Sequence, residues 1–587
     1  MIEWLRIVSV GVIVAGLGMY VTRLVSSVSD LALPLEPLAL AQGLPTSELL
    51  PGRPGDLLGH NLLLVTFDTT RPDRLGLYGN QDIDTATLDR LGAGGIVFSN
   101  AVATTSTTLP AHASMLTGLY PHRHQARVNS RQPLPQSIDT LAEILKAKGY
   151  RTAAFVSSFV LDARFGLDQG FDHYDAEMEG KGISAGYAER SAAHTTNAAI
   201  AWMKQNRKSP YFLWVHYYDA HSPYQAPIQF EEAALNRYDA EIASTDYQLG
   251  RLLRALEAEG GGRRAETLVV VMADHGEALG EHGEQLHGLL VQEATIRVPL
   301  VFYATQGLPR GVHVPTRVSQ VDLLPTIVSL LGASPPSNLD GVDLTTEFDP
   351  ARVVLTESVY SHAHWGWAPI SAIYQGRWKY IDSPHPELYD LEADPLESVN
   401  LVAQRPREAA ALAARLHERR GAEADRLPDA SVELKPEEIA RLRALGYVAG
   451  EPAAAKLSAS GPGATLPRVA SGPPRNHAVK DPPDPKVMLP LFREMGDILA
   501  GTDNYQLSTP SQRVVLSALG VPVLKNRDAL IEALEEFRLE HPDFEPTYTH
   551  LAAAYEAASR PDDAARASEK LAELISTTRA QAGAPER

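Results

Sequence analysis

Asn61-Leu-Leu-Leu-Val-Thr-Phe-Asp68 is an apolar run without alternation that ends in a carboxylate, and a second such run, Thr267-Leu-Val-Val-Val-Met-Ala-Asp-His275, ends in Asp-His. Runs of this kind suit strands covered on both faces, as in a mostly parallel sheet between helices. In an open α/β sheet, acids at the carboxyl ends of parallel strands converge on one edge. A divalent cation needs carboxylate and imidazole ligands brought to one point. Between the two runs lies Thr108-Leu-Pro-Ala-His-Ala-Ser-Met-Leu-Thr-Gly118. The three segments together describe a metal-centred esterase site.

Further apolar runs at Thr152–Val156, Tyr211–Val215 and Leu300–Tyr303 join Leu62–Val65 and Leu268–Met272 of the first two as central strands. Thr140–Lys148 and Tyr238–Glu257 carry apolar residues at helical spacing and can cover the sheet faces. After Ala351 the texture changes to short strand candidates, Val353–Leu355 and Arg377–Ile381. Leu434–Gly446 reads as a helix stopped by glycine. The expected fold is α/β, with a small carboxy-terminal antiparallel subdomain and then a separate all-α domain.

The expected layout follows from these changes in texture. Residues 1–26 hold an apolar run from Ile7 to Val21, shorter than the roughly 20 residues that span a bilayer comfortably. It suits a membrane anchor or a signal segment, and a distant Ala39-Leu-Ala41 favours the uncleaved anchor. Either places the catalytic part outside the cytoplasm, facing a periplasm or the extracellular space. Residues 27–58 are proline-bearing and read as a linker, residues 59–345 as the catalytic domain, and residues 346–450 as its subdomain and helices. Residues 451–487 form a proline-rich linker that cannot bury a core. Residues 488–580 form a helical domain, a possible protein-binding part of the chain. Within it Tyr548, Leu551, Ala552, Tyr555 and Ala564 stand at the spacing of one tetratricopeptide repeat, although an ordinary helical hairpin fits as well.

The 587 residues carry a net charge of −19, which argues against a nucleic-acid surface. An anionic ester must be held by local groups and a metal rather than by the field of the whole protein. There is no cysteine, so disulfides and thiolate metal sites are excluded.

Val65–Asp73, Leu116-Thr-Gly-Leu-Tyr-Pro-His-Arg-His124, Asp274-His-Gly-Glu-Ala-Leu-Gly-Glu-His-Gly283, Arg297-Val-Pro-Leu300 and Glu387-Leu-Tyr-Asp-Leu391 stand in this order along the chain. On these motifs, from about Asn61 to Leu401, the chain resembles the sulfatase branch of the alkaline phosphatase superfamily. The resemblance implies an alkaline-phosphatase-like fold and a formylglycine made from Cys or Ser at the head of a Cys/Ser-x-Pro-x-Arg motif. In this chain that position is Thr108. Oxidation of threonine gives only a ketone, so the route to the aldehyde is closed.

Asp68, Asp274 and His275 are the expected metal ligands, with the Thr108 oxygen as the fourth. The competing roles are an N-cap for Asp68 and loop hydrogen bonding for the other two. A set mixing carboxylate and imidazole favours Zn²⁺ or Mn²⁺, with Ca²⁺ possible. Thr69 stands where relatives often carry a second Asp. Thr108 precedes a proline that opens a helix, so free N–H groups and the helix dipole are expected beside a bound anion. His221 matches the family's Asp-x-His-x-Pro-Tyr segment, and His287 falls where relatives carry a Lys or His contacting the transferred group. His112 replaces the motif's Arg and is expected to contact the anion or orient Thr108. His124 is expected to brace its loop, and His216 with Asp219 to offer a second metal site. The Lys that relatives place after the strand at Thr152 is absent, since the chain continues Val156-Ser-Ser-Phe159.

Three readings remain. Thr108 attacks a phosphate or phosphonate ester, in hydrolysis or transfer, through a phosphothreonine. Alternatively the enzyme cleaves sulfate esters without formylglycine, or the chain is an anchored scaffold with a degenerate core.

Overall fold

The computed structural model describes residues 46–178, 190–206, 210–222, 224–258, 266–346, 348–349, 351–421, 424, 483–491, 527–558 and 560–582. At its centre is a nine-stranded sheet. The strands are β1 (Asn61–Phe67), β2 (Ile96–Val102), β3 (Arg151–Phe155), β4 (His173–Asp175), β5 (Tyr211–Tyr217), β6 (Thr267–Ala273), β7 (Arg297–Ala304), β8 (Val312–Val314) and β9 (Val318–Ser319). They lie in the order β4-β3-β5-β1-β6-β7-β2-β8, with β9 beside β2. All pairings are parallel except those of β7, which runs against both β6 and β2. The unbroken apolar run of β7 reflects burial, and burial does not fix strand direction. β2 escapes a reading by pattern because Ser99 and Asn100 interrupt it, where the register shifts between Phe98 and Ala101.

β1, β5 and β6 are buried along their whole length. Each large apolar side chain taken from water contributes about 1.5–3 kcal/mol, so these three strands anchor the sheet. Helices cover it as expected. Thr140 and Glu143 close a capping box on Leu141–Ala147, and Arg237–Ala258 lies over the sheet with Leu249, Leu252 and Leu253 buried. From that long helix Asp246 accepts the N–H groups of Thr87 and Leu88 at 2.9 and 2.8 Å, capping the helix Ala86–Gly94.

A second, antiparallel sheet of β10 (Val354–Ser358), β11 (Ile370–Gln375), β12 (Trp378–Asp382) and β13 (Glu387–Asp390) follows. The helix Pro406–Arg420 buries Leu412 and Leu416 against Leu355, Ile373 and Leu388 of that sheet. Its first strand reaches the central part through Glu357 N–H, which donates to Thr104 O at 3.0 Å.

Two expected linkers are in part structured. Leu50 and Leu57 are buried, and their N–H groups bond to Leu344 O and Leu330 O, so the end of the segment 27–58 is packed rather than a tether. Asp484 and Lys486, at the end of the segment 451–487, bond to His385 and Glu387. The carboxy-terminal part contributes the helices Arg527–Glu540, Glu545–Ala557 and Pro561–Ala582. They belong to the same compact unit, and Trp367 Nε1 donates to Glu545 Oε2 at 3.1 Å with its ring 6.1 Å from Phe544. Tyr548, Leu551, Ala552 and Tyr555 are buried there. That pattern serves any helical hairpin and does not single out a tetratricopeptide repeat. No helix among the described residues is long and apolar enough to cross a membrane. The expected anchor at 1–26 and helix at 434–446 lie outside those residues.

Candidate active site

β1 and β6 are paired in register with Phe67 opposite Ala273, so the next residues, Asp68 and Asp274, leave the sheet side by side. Their backbones are pinned: Asp68 N–H donates to Tyr217 O at 2.9 Å and Asp274 N–H to Phe67 O at 3.0 Å. Both carboxylates are fully buried. Asp274 Oδ1 accepts from Thr69 N–H at 3.2 Å and His275 N–H at 2.7 Å. By contrast Asp274 Oδ2 and both oxygens of Asp68 accept no hydrogen bond of good geometry among the described residues. Asp68 does not cap a helix.

His275 completes the group. Its Nδ1 lies 3.0 Å from Gly276 O and must carry the hydrogen, which leaves the Nε2 lone pair free. That nitrogen stands 3.8 Å from Asp68 Oδ1, 3.5 Å from Asp274 Oδ2 and 3.4 Å from Thr108 Oγ1. Gly276 permits the arrangement, because a Cβ there would meet Ala294 O at 2.1 Å.

Burial above all, and then the charge of Glu277, pushes the Asp68 carboxyl well above the usual carboxylate range. Burial and then Asp68 do the same to Asp274. Two adjacent buried carboxylates cannot both stay charged without a cation between them. The unsatisfied oxygens, the aimed lone pair and the spacing of Asp68, Asp274 and His275, whose donor atoms all lie within 4.8 Å of one another, fit a divalent metal ion. Thr69, in place of a further carboxylate, turns its hydroxyl away to Ala220 O at 2.5 Å. It holds a φ of 48°, a strained setting for a β-branched residue.

Thr108 is the first residue of the helix Thr108–Thr117, and Thr107 holds the N-cap position. The hydroxyl is therefore not spent on capping. The helix end offers fewer free donors than expected, because Leu109 N–H is bonded to Asn129 Oδ1 at 2.8 Å and Pro110 has none. At the other end Gly118, at φ 70°, stops the helix by donating to Ser114 O.

The histidines separate by their partners. His112 Nδ1 donates to Thr108 O at 2.8 Å, and its Nε2 accepts from Thr66 Oγ1 at 2.9 Å, which in turn accepts from Trp214 Nε1 at 2.9 Å. Both ring nitrogens are committed, so His112 braces the Thr108 backbone and does not face an anion. His287 Nδ1 lies 3.0 Å from Glu277 Oε1, and its ring centroid is 4.4 Å from that of His275 and 4.9 Å from that of His221. His221 stacks on Tyr218 at 4.3 Å, with its Nδ1 2.6 Å from Ser222 O. Burial pushes His287 down to about 3 and holds His221 below its ordinary value, so both rings are neutral. His124 bonds to Ser114 Oγ and Ala126 N–H and holds its loop. His216 Nε2 lies 3.3 Å from Asp68 Oδ2, close to the metal ligands. Asp219 caps the helix Ala192–Gln205 through Ala192 N–H, so it does not pair with His216 in a second metal site.

Thr66, Asn129, Trp214 and Glu277 belong to this site and were not singled out by sequence. Glu277 lies in the Asp-His-Gly-Glu motif and was open to inspection there. The other three are joined to Thr108 only by strand pairing and loop packing, so no spacing signals them.

Residues 60–333 match the model of the family described as sulfatase. The chain is 26% identical over 418 residues to the uncharacterized sulfatase YidJ of Escherichia coli (strain K12), covering 58% of this chain and 83% of that protein. It is 26% identical over 401 residues to an ulvan-active sulfatase of Formosa agariphila, covering 59% of this chain and 77% of that protein. Among solved structures, the phosphonate monoester hydrolase of Agrobacterium radiobacter superposes with a TM-score of 0.53 at 22% identity, over 64% of this chain and all of that one, and so shares the fold. Residues 60–333 form a sulfatase-family hydrolase domain.

Proposed function

We propose that the protein cleaves or transfers phosphate or phosphonate esters with Thr108 as nucleophile. The observation that carries this reading is the position of the uncapped Thr108 hydroxyl, 3.4 Å from His275 Nε2 and beside the Asp68–Asp274 pair. Asp68, Asp274, His275 and Thr108 Oγ1 would hold a divalent ion, Zn²⁺ or Mn²⁺ before Ca²⁺ given the imidazole. Such an ion supplies Lewis acidity, lowering the pKa of a ligated hydroxyl and drawing charge from the ester.

Thr108 Oγ1 forms a bond to phosphorus in line with the departing oxygen, whose bond to phosphorus breaks, and a phosphothreonine results. The hydroxyl proton passes to solvent water, so that the oxygen attacks as the alkoxide. The departing oxygen takes a proton from the neutral His287 ring, and the Glu277 carboxyl, which burial holds protonated and which lies 3.0 Å from His287 Nδ1, replaces it. Water, or an acceptor alcohol in a transferase, then attacks phosphorus and frees Thr108. His112 keeps the Thr108 carbonyl fixed throughout.

The names of the relatives support a second reading, cleavage of sulfate esters. A sulfated threonine cannot expel sulfate by collapsing to an aldehyde and needs a second attack at sulfur, which ranks this reading lower. A degenerate scaffold has no need to keep three metal-binding groups converged. The test is a panel of aryl phosphate, phosphonate and sulfate esters with added Zn²⁺, Mn²⁺ or Ca²⁺. Preference for the phosphorus esters, with loss of at least about 10³-fold in Thr108→Ala, is expected. Preference for sulfate, or unchanged activity in Thr108→Ala, overturns the proposal. Membrane attachment and export through residues 1–26, and partner binding by the carboxy-terminal helices, remain proposals tested by fractionation and pull-down of the full chain.

A further inference from the structure

A cleft of about 250 Å³ opens where the central sheet meets the antiparallel one, and none of its lining residues belongs to the group around Asp68 and Thr108. Its walls come from separate stretches of chain: Asn100 in β2, Arg297 at the start of β7, Arg317 just before β9, Arg352 just before β10, and Arg377 in the turn between β11 and β12. Pockets for drug-sized molecules run to about 300–1,000 Å³, so this one suits a single small group. Its lining carries the guanidinium groups of Arg297, Arg317, Arg352 and Arg377.

Arg352 and Arg377 are matched by acids, the first by Asp322 and the second by Asp390 and Glu392. Arg297 and Arg317 bond only to backbone carbonyls among the described residues. Arg297 Nε and Nη2 donate to Ser99 O at 3.1 and 2.8 Å, and Arg317 Nη1 donates to Gly376 O at 2.6 Å. A guanidinium has N–H donors on every nitrogen, so each of these side chains keeps donors for a further acceptor. Arg317 is steadied by the Tyr374 ring, whose centroid lies 4.9 Å from its Cζ. Glu293 is the acid behind that ring. Although burial opposes it, Lys379 and then Arg317 hold the Glu293 carboxyl below the usual range, so it stays charged. Its Oε1 is already taken by Lys379 Nζ at 3.1 Å and the Tyr374 O–H at 2.8 Å. Glu397, the second acid on Lys379 at 2.7 Å, is pushed by burial up to about 7 and competes only in part. Glu293 therefore offsets the buried Lys379 first, and the cleft is left with guanidinium charge that repels itself unless an anion enters.

We infer that this cleft binds a doubly charged tetrahedral oxyanion, phosphate or sulfate, free or as the end group of a larger molecule, between Arg297 and Arg317. The planar fork of arginine meets two oxygens of such an anion at once, which a single ammonium does not. Asn100 Nδ2 donates to Pro315 O at 2.7 Å and keeps its other N–H beside them. The inference does not rest on the reaction at Thr108 and adds a second anion site to the chain.

The experiment uses the full chain loaded with Mn²⁺, as Thr108→Ala so that an added ester is not consumed, with and without Arg317→Glu. Hydrogen exchange read by mass spectrometry locates the binding of sulfate, inorganic phosphate and phenyl phosphate, with acetate as the planar, singly charged control. Slower exchange is expected from β8 to Arg317 and at the turn around Gly376 with the tetrahedral anions and not with acetate. Arg317→Glu should abolish that protection and weaken the corresponding calorimetric binding by at least about tenfold. Anion binding at the Thr108 site is common to both proteins and cancels in the comparison. Protection by sulfate and inorganic phosphate assigns the free ion, and protection by phenyl phosphate alone assigns the end group of a larger molecule. Should Arg317→Glu fail to fold, as judged by circular dichroism, Arg317→Gln is read in the same way with the same expected loss. Protection confined to the segments around Thr108 and Asp274, an equal effect of acetate, or binding within about threefold in the folded Arg317 variant overturns the inference.

Discussion

His275 Nε2 faces Asp68 Oδ1 across 3.8 Å, although the two residues come from motifs at opposite ends of the catalytic part of the chain. The Thr108 hydroxyl stands 3.4 Å from the same nitrogen, and the Asp274 carboxylate closes the group at 3.5 Å. Zn²⁺ or Mn²⁺ should therefore raise the melting temperature of the wild-type protein, since an ion at 100 times its Kd stabilises by about 2.7 kcal/mol. Differential scanning fluorimetry with and without chelator reads this directly. Asp68→Asn should lose most of the rise, and an equal rise in that variant would remove Asp68 from the ligand set.

The chain of hydrogen bonds from Trp214 through Thr66 and His112 to Thr108 O predicts a graded series. Trp214→Phe removes one donor at the far end and should lower kcat less than tenfold. His112→Ala leaves both the Thr108 carbonyl and the Thr66 hydroxyl without their partner and should lower kcat by about 10–100-fold, with a smaller effect on KM. Steady-state kinetics of the two variants distinguish this bracing role from direct anion contact, which would raise KM in His112→Ala.

Asp246 carries a signature in the pH dependence of stability. Burial pushes its carboxyl from the ordinary carboxylate range up to about 7, against the pull of the Thr87 and Leu88 N–H groups. The folded value is raised above the unfolded one, so the carboxyl's contribution is fully present below about pH 4 and is lost as pH rises to about 7. Asp246→Asn cannot ionise. Its stability relative to wild type should improve by an amount on the order of 4 kcal/mol between pH 4 and pH 8. Urea titrations at a series of pH values test the sign, and a difference independent of pH would contradict it.

Trp367 ties the carboxy-terminal helices to the catalytic part, being fully buried with its indole N–H on Glu545. Trp367→Ala should cost about 3–5 kcal/mol. Protease should also release the helical segment earlier in the variant than in wild type, as followed by gel electrophoresis. Equal release would show that these helices are held by other contacts.

The strands β1, β5 and β6 were legible because each is a short, unbroken apolar run, and burial on both faces leaves no other pattern. β2 was not, since Ser99 and Asn100 at its bulge mimic a loop. Leu50 and Leu57 show the reverse failure: prolines around them suggest a tether, but the apolar side chains find a groove beside the helix Leu323–Leu330. Within the site, Asp68, Thr108, Asp274 and His275 stood out by residue type and motif. His112 was visible too, yet its task depends on Thr66 and Trp214, which lie on paired strands that no spacing connects.

The amino-acid order alone determined the kind of fold, the sulfatase-family motifs and the absence of any residue that becomes a formylglycine, because these are properties of local pattern and side-chain chemistry. Only the tertiary structure decided which polar groups are satisfied inside the protein and which are left open, as at Asp68 and Asp274. The physical reason is that a hydrogen bond or a desolvated charge depends on a partner within about 3 Å, and chain folding, not sequence distance, sets that separation.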